Sequence, residues 1–153
     1  MEDLVQQVNN MEINLIAILA IILIHWFADF VLQTDKQAKG KSKNWRDLLS
    51  HTGTYSLVWL FIGFCIYLEQ FKPYNKEHNE IMNQYWNHYI PLGLLFVLIT
   101  FIAHTITDYF TSRLNAKLWA KGDTHNFFVS VGFDQVLHYV QLFLTYQLLT
   151  KWV

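Results

Sequence analysis

Four long apolar segments dominate the pattern of hydrophobic and polar positions along this chain of 153 residues. Each is long enough to cross a bilayer as a helix, which takes about 20 mostly apolar residues. The four segments cover residues 13–33, 48–68, 89–111 and 128–150. No stretch alternates apolar and polar residues as the strands of a membrane barrel would. The pattern therefore predicts an all-α protein, a four-helix transmembrane bundle whose single domain covers residues 13–150.

Positive charge in the connectors predicts the orientation of the segments. Basic residues crowd the first connector and return in the third: Lys36, Lys39, Lys41, Lys43 and Arg46, then Arg113, Lys117 and Lys121. Cytoplasmic loops of membrane proteins are enriched in Lys and Arg. We therefore expect these two connectors in the cytoplasm, and both termini, residues 1–12 and 151–153, on the opposite side of the membrane.

Composition and local punctuation agree with this interpretation. Charged residues make up 15% of the chain and the net charge is −1, so nothing suggests a nucleic-acid partner, and the expected partner is the lipid bilayer. Pro91 is expected in the first turn of the third segment, where a missing backbone amide is tolerated. Gly122 and Asp123 are expected to form a turn and a cap before the fourth segment. The sequence leaves open whether copies of the chain form a homo-oligomer.

Ionisable residues stand inside these apolar segments, where hydrocarbon disfavours them. Three segments each carry one His and one Asp spaced four apart, and the second carries a His near its start: His25 with Asp29, His104 with Asp108, Asp134 with His138, and His51. A spacing of four places two side chains on one helix face. The order of His and Asp reverses with the direction of the segment, so all seven groups are expected at overlapping depth in the cytoplasmic half. Such residues are rare in membrane segments and indicate a functional site.

Four imidazoles and three carboxylates form a mixed nitrogen and oxygen ligand set. Such a set suits a divalent metal, either zinc or iron, manganese or nickel, and seven ligands are enough for two ions. Gln33 and Gln135 are expected to hydrogen-bond to the ligands from behind. Asp29, Asp108 and Asp134 are the candidate catalytic carboxylates. The interpretation that this set favours is metal-dependent hydrolysis of a phospho-compound or a lipid-linked substrate.

Other functions remain open on the sequence alone. His and Asp one turn apart can simply pair with each other and hold helices together. A proton or metal-ion transporter or channel would use the same polar stripe, and it predicts polar residues across the outer half as well. Residues 13–24 and 59–68 are almost wholly apolar, which argues against a continuous path.

The quoted residues also carry a resemblance to a known family. The run from His25 through Asp29 to Gln33, followed by Leu48, Leu49, Ser50 and His51, resembles an uncharacterised family of small prokaryotic and phage membrane proteins. His104-x-x-x-Asp108-Tyr109 and Asp134-Gln135-x-x-His138 are similar to the later motifs of that family. The resemblance extends over residues 13–150. It implies a multi-pass protein of the bacterial inner (cytoplasmic) membrane and allows a non-enzymatic phage adaptor or holin-like protein. A more distant similarity to inner-membrane metal-dependent hydrolases favours hydrolysis by analogy.

Overall fold

The computed structural model describes the backbone of residues 15–70 and 76–150 and the side chains of residues 15–62 and 90–149. Within these residues the chain forms five helices and no strand. The helices are α1 (Leu15–Val31), α2 (Asp35–Gly40), α3 (Trp45–Gln70), α4 (Lys76–Ala120) and α5 (Thr124–Thr150). The predicted all-α class is confirmed. The terminal segments, residues 1–12 and 151–153, lie outside the described residues.

Two features of the helices differ from the prediction. α2 forms inside the first basic connector because Thr34 and Gln37 make a capping box: the Thr34 hydroxyl accepts from Gln37 N at 3.3 Å, and Gln37 Oε1 accepts from Thr34 N at 2.8 Å. α4 begins at Lys76 rather than near residue 89, so Pro91 lies inside the helix and not in its first turn. Proline removes a single backbone donor, and an apolar helix can continue past it.

The described helices are apolar outside and polar inside. Among the described side chains, fourteen polar or charged ones are buried against six apolar ones. Thirty large apolar side chains are exposed, Leu23, Phe61, Phe110 and Phe133 among them. Soluble monomers rarely leave so much contiguous apolar surface in contact with water. Two segments of the described residues, Ile90–Ala120 and Thr124–Leu149, are long and apolar enough to cross a membrane, and α1 is a shorter apolar helix.

Helix packing encloses the polar interior. α3 packs against α4 and α4 against α5, while α2 and the last turn of α1 pack against α3. His25 of α1 lies 2.9 Å from the side-chain oxygen of Gln135 of α5, which joins the first helix to the last. A small apolar core completes the interior and consists of Ile21, Ala28, Tyr55, Trp59 and Leu142.

The turn between α4 and α5 has the expected construction. Gly122 has a φ of 71°, the left-handed conformation that glycine adopts without steric cost. Asp123 caps α5, because its Oδ1 accepts a hydrogen bond from the backbone N of Asn126 at 3.2 Å and its Oδ2 accepts one from Asn126 Nδ2 at 2.8 Å. These hydrogen bonds hold the pKa of Asp123 below its ordinary value.

Two glycines of this hairpin should respond to alanine in opposite directions. Gly122→Ala forces a side chain into the left-handed region and should lower the free energy of unfolding by about 1 kcal/mol. Gly132→Ala lies inside α5, where the new methyl group contacts nothing, and should raise it by roughly 0.5–1 kcal/mol. Thermal unfolding of the detergent-solubilised variants measures both changes. A Gly122→Ala variant as stable as the wild type would contradict the described turn.

Candidate metal centre

The site starts at an irregular turn near the end of α1. Residues 15–26 are α-helical, and Phe27–Val31 form a π-helical turn that is closed by a hydrogen bond from Leu32 N to Phe27 O at 3.1 Å. Asp29 lies in the middle of this turn and is buried. π turns inside α-helices occur frequently at functional sites. The π turn at Asp29 therefore indicates a functional position.

Five ionisable side chains from four helices meet in the interior. We call them the central cluster: Asp29 of α1, His51 of α3, His104 and Asp108 of α4, and His138 of α5. Each of them is at most 4% exposed. The cluster contains two overlapping triads, Asp29–His51–His104 and His104–Asp108–His138, in which the potential ligand atoms all lie within 4.8 Å of one another. These buried groups can therefore hold a metal ion.

Four ligand atoms of the central cluster form two triangles that share the edge between His51 Nε2 and His104 Nε2. Asp29 Oδ1 lies 3.0 Å from His51 Nε2 and 3.4 Å from His104 Nε2, and the two Nε2 atoms are 3.3 Å apart. Asp108 Oδ2 lies 3.2 Å from His51 Nε2 and 3.7 Å from His104 Nε2. Ligands bound tetrahedrally at zinc distances are separated by roughly 3–4 Å. These five distances fall in that range, and we call the space that the four atoms border the principal position.

The second oxygen of Asp108 faces another pair of ligands. Asp108 Oδ1 lies 3.4 Å from His138 Nε2, which in turn lies 3.4 Å from Asp134 Oδ1. A carboxylate with one oxygen on each of two sites is a common bridge in centres that hold two ions. Asp108 therefore has one oxygen at the principal position and the other beside His138.

Several of these atoms lack a hydrogen bond although they are buried. Among the described side chains, the atoms without a partner include Asp29 Oδ1, Asp108 Oδ1, Asp134 Oδ1 and both ring nitrogens of His138. The distances to neighbouring groups fall in the range of ion pairs, but the angles do not make hydrogen bonds. Buried polar atoms are normally satisfied, and each exception asks for an explanation. A cation beside Asp29 Oδ1 would satisfy that oxygen, and a second one beside His138 Nε2 would satisfy Asp108 Oδ1 and Asp134 Oδ1.

Aromatic stacking fixes the His104 ring in the middle of the cluster. Tyr55 stacks on one side with ring centroids 4.0 Å apart, and His138 stacks on the other at 4.1 Å, each with an interplanar angle of 21°. A ring held between two others has little freedom to rotate. The orientation of the ring keeps His104 Nε2 at the principal position, beside Asp29, His51 and Asp108.

His25 lies behind the central cluster, outside both triads. Its Nε2 is 2.9 Å from Gln135 Oε1, an atom that only accepts, so this nitrogen donates and Nδ1 accepts from the Tyr55 hydroxyl at 2.8 Å. Gln135 Nε2 then donates to Asp29 Oδ2 and to Asp134 Oδ2, each at 3.2 Å. Gln135 thus has the position predicted for it, behind two carboxylates. His25 holds this amide and Tyr55 in place.

Lys41 enters the central cluster from the basic connector. Its Nζ lies 2.9 Å from Asp108 Oδ2 and 3.5 Å from His51 Nε2, and Gln33 Nε2 contacts the same imidazole, 3.0 Å from Nδ1. Burial acts to lower the pKa of Lys41, but the carboxylates of Asp108 and Asp29 outweigh it and raise the pKa above its ordinary value. The two carboxylates therefore favour the ammonium form of Lys41.

The short helix α2 determines where Lys41 stands. Gln37 Nε2 donates to Ser50 Oγ at 3.1 Å and to Thr54 Oγ1 at 3.3 Å, which ties α2 to the first turns of α3. Gly40 contacts the Asp47 side chain so closely that a Cβ at this position would lie 2.8 Å from Asp47 Cβ. These contacts place Lys41, the residue after α2, against the cluster.

An uncharged polar layer lies one turn before His104 on α4 and one to two turns after His138 on α5. Gln141 Nε2 is 3.1 Å from Thr145 Oγ1 and 3.4 Å from Thr100 Oγ1, and both threonines are buried. Gln141 Oε1 is buried without a hydrogen-bond partner among the described residues. This layer was not predicted from the sequence, because isolated Thr and Gln residues in an apolar helix are also compatible with lipid-facing positions.

The structure brings the predicted site residues together in two groups. Asp29, His51, His104, Asp108 and His138 form the central cluster, and the remaining predicted residues surround it: His25, Asp134, Gln33 and Gln135. Lys41 was predicted only as an orientation charge, and its distance of 67 residues from Asp108 in sequence gives no local pattern for their contact. The spacing of four places Tyr55 on the helix face of His51, and its ring packs against His104.

Comparisons with known proteins give one match. The model of a family described as protein of unknown function (DUF3307) matches residues 17–153. No curated protein and no solved structure matches the chain. The matched region contains every residue of the central cluster and its surroundings. The chain therefore belongs to the DUF3307 family, the uncharacterised kind of family that its motifs resemble.

Proposed function

We propose that this chain is an integral membrane metalloprotein that hydrolyses a phospho-compound or a lipid-linked substrate at a divalent-metal centre. The observation that carries the proposal is the close approach of four ligand atoms: Asp29 Oδ1, His51 Nε2, His104 Nε2 and Asp108 Oδ2. Five of the distances between them measure 3.0–3.7 Å. The atoms come from three helices, and pairwise contacts between helices do not require that so many ligand atoms meet.

Energetics support a bound cation. Carboxylates in an apolar interior are costly unless their charge is compensated and their lone pairs are satisfied. Lys41 compensates one carboxylate, while Asp29 Oδ1 and Asp108 Oδ1 lack hydrogen bonds. A divalent cation would neutralise Asp29 and Asp108 together and would bind the imidazoles in their uncharged form.

The proposed setting is the bacterial inner membrane, crossed four times by α1, α3, α4 and α5 with both termini outside. The exposed apolar exterior supports contact with lipid, and the basic residues around α2 and near the α4–α5 turn support a cytoplasmic location for that end. Lys41 belongs to this basic end and contacts Asp108 at 2.9 Å. The metal centre would therefore open toward the cytoplasm.

The chemistry follows from the ligands. When bound, a divalent cation supplies Lewis acidity, polarising a phosphoryl oxygen and lowering the pKa of water. The mixed imidazole and carboxylate set suits zinc, iron, manganese or nickel. Asp108 would bridge the principal ion and a second one held by Asp134 and His138. With a single ion, Asp134 is free to take the proton of the attacking water. His25 and Gln135 orient the carboxylates of Asp29 and Asp134.

Transport of a proton or a metal ion is the second candidate. The layer formed by Thr100, Gln141 and Thr145 favours it, because this layer extends the polar interior beyond the central cluster. A transporter would need such groups to continue toward the opposite face. The apolar core that includes Ile21, Trp59 and Leu142 adjoins the cluster and favours a closed site.

Metal content should depend on the central cluster. Wild-type protein purified in detergent should contain at least one divalent transition metal per chain. His104→Gln, which removes a ligand, should weaken metal binding by at least about 100-fold. Elemental analysis after equilibrium dialysis measures this change, and His125→Gln is the matched control because His125 is exposed on the α4–α5 hairpin. Metal-free wild-type protein after dialysis against zinc, iron, manganese and nickel would rule the proposal out.

The number of ions should depend on Asp134. Asp134→Asn should remove the second equivalent and keep the first, since no atom of Asp134 borders the principal position. Asp108→Asn should reduce both, because Asp108 contacts both positions. Asp35→Asn is the control, because this carboxylate is 93% exposed and pairs with Lys39. Unchanged stoichiometry in Asp134→Asn would limit the centre to a single ion.

Hydrolysis should require the same residues as metal binding. Metal-loaded protein in liposomes should release inorganic phosphate from p-nitrophenyl phosphate or from vesicles that contain a lipid phosphate monoester. Asp108→Asn should lower the rate by at least about 100-fold, and Asp35→Asn should leave it unchanged. Metal binding without phosphate release, combined with proton or divalent-ion flux that is lost in Asp108→Asn, would support the transporter instead.

A further inference from the structure

The ammonium group of Lys41 lies next to atoms that would bind a metal ion. Among the described residues it provides the ammonium group in contact with the central cluster, 2.9 Å from Asp108 Oδ2 and 3.5 Å from His51 Nε2. Both atoms border the principal position described above and lie 3.2 Å apart. The ammonium therefore stands over one edge of the proposed coordination shell.

A bound divalent ion and this ammonium cannot both keep these positions. An ion ligated by Asp108 Oδ2 and His51 Nε2 would lie about 2.0–2.2 Å from each atom. The ammonium would then be only a few Å from a double positive charge in a poorly solvated interior, where repulsion is strong. The lysine stem has four flexible carbons, so the ammonium can withdraw while its backbone stays in place.

The position of α2 limits where the ammonium can go. Gln37 fastens α2 to Ser50 and Thr54, so the Lys41 backbone stays beside the cluster. The Lys41 side chain is 16% exposed, whereas the five cluster residues are at most 4% exposed. Lys41 thus lies between the cluster and the surroundings at the basic end of the molecule. After withdrawal its charge would remain at the entrance of the site.

We propose that Lys41 binds the anionic group of the substrate beside the metal, after the ion has displaced it from Asp108. This inference rests on the proposed function and specifies its substrate class: a compound with a negatively charged phosphoryl group, approached from the basic end. A lysine ammonium is a compact charge that suits phosphoryl oxygens. Without metal, Lys41 compensates the charge of Asp108. With metal bound, Lys41 compensates the charge of the substrate anion.

A purely structural role for Lys41 makes different predictions. If Lys41 only neutralised Asp108, its removal would destabilise the protein or the metal site, and anion binding would be unaffected in any variant that still held metal. If Lys41 competes with the metal and then binds the anion, its removal should leave metal binding intact or tighter and should weaken anion binding. Metal affinity and anion affinity therefore separate the two roles.

The experiment compares Lys41→Met with Lys43→Met, an exposed lysine two residues away in the same turn. Full-length protein in detergent is loaded with metal, metal affinity is measured by equilibrium dialysis, and binding of inorganic phosphate to the loaded protein is measured by calorimetry. Lys41→Met should bind metal at least as tightly as the wild type and should bind phosphate about tenfold more weakly or worse. Lys43→Met should behave like the wild type, and Lys41→Arg should retain part of the phosphate affinity.

Two failures can be told apart. Wild-type protein that takes up no metal overturns the proposed function and this inference with it. Metal-loaded Lys41→Met that binds phosphate as well as the wild type, or metal-loaded wild type that binds none, overturns the inference alone. Loss of metal from Lys41→Met also overturns it, because Lys41 would then support the ligands. If Lys41→Met does not fold, Lys41→Gln takes its place, since the amide keeps hydrogen bonding without the charge.

Discussion

The requirement that buried charge be compensated inside the molecule governs this structure. The carboxylates of Asp29 and Asp108 are buried inside a helix bundle whose outer surface is apolar, so water cannot compensate their charge. Nearby imidazoles from three helices and the ammonium of Lys41 compensate the charge of these carboxylates. This compensation is incomplete, since one oxygen of each carboxylate lacks a hydrogen bond among the described residues. A bound cation would supply the missing positive charge.

Packing between side chains fixes the orientation of the potential ligands. The His104 ring is held between Tyr55 and His138, and the Tyr55 hydroxyl is itself held by His25. Gln135 positions Asp29 from the opposite side. The directions of His104 and Asp29 are therefore fixed in part by Tyr55 and Gln135, which belong to neither triad. Such support is what makes a metal site precise, because ligands that must first be ordered bind more weakly.

Helix periodicity explains which parts of the site could be predicted from the sequence. The spacing of four in His104 and Asp108, and in Asp134 and His138, places each pair on one helix face whatever the surrounding fold. The apolar segments predicted the helical class for the same local reason. Three other features depend on tertiary packing, and no local pattern encodes them. They are the contact of Lys41 with Asp108, the π turn at Asp29 and the hydrogen bond between His25 and Tyr55. The sequence therefore predicted the membership of the cluster better than the role of each member.

The gradient of polarity along the interior bears on what the centre can do. Charged groups lie at the basic end, an uncharged layer of Thr100, Gln141 and Thr145 follows, and the apolar core includes Ile21 and Leu142. A cation at the central cluster would be stabilised by carboxylates, whereas one at the uncharged layer would meet only hydroxyl and amide dipoles. The free energy of such an ion would therefore rise with distance from the basic end. This gradient would keep a bound cation near one surface, which suits the proposed resident ion better than a transported one.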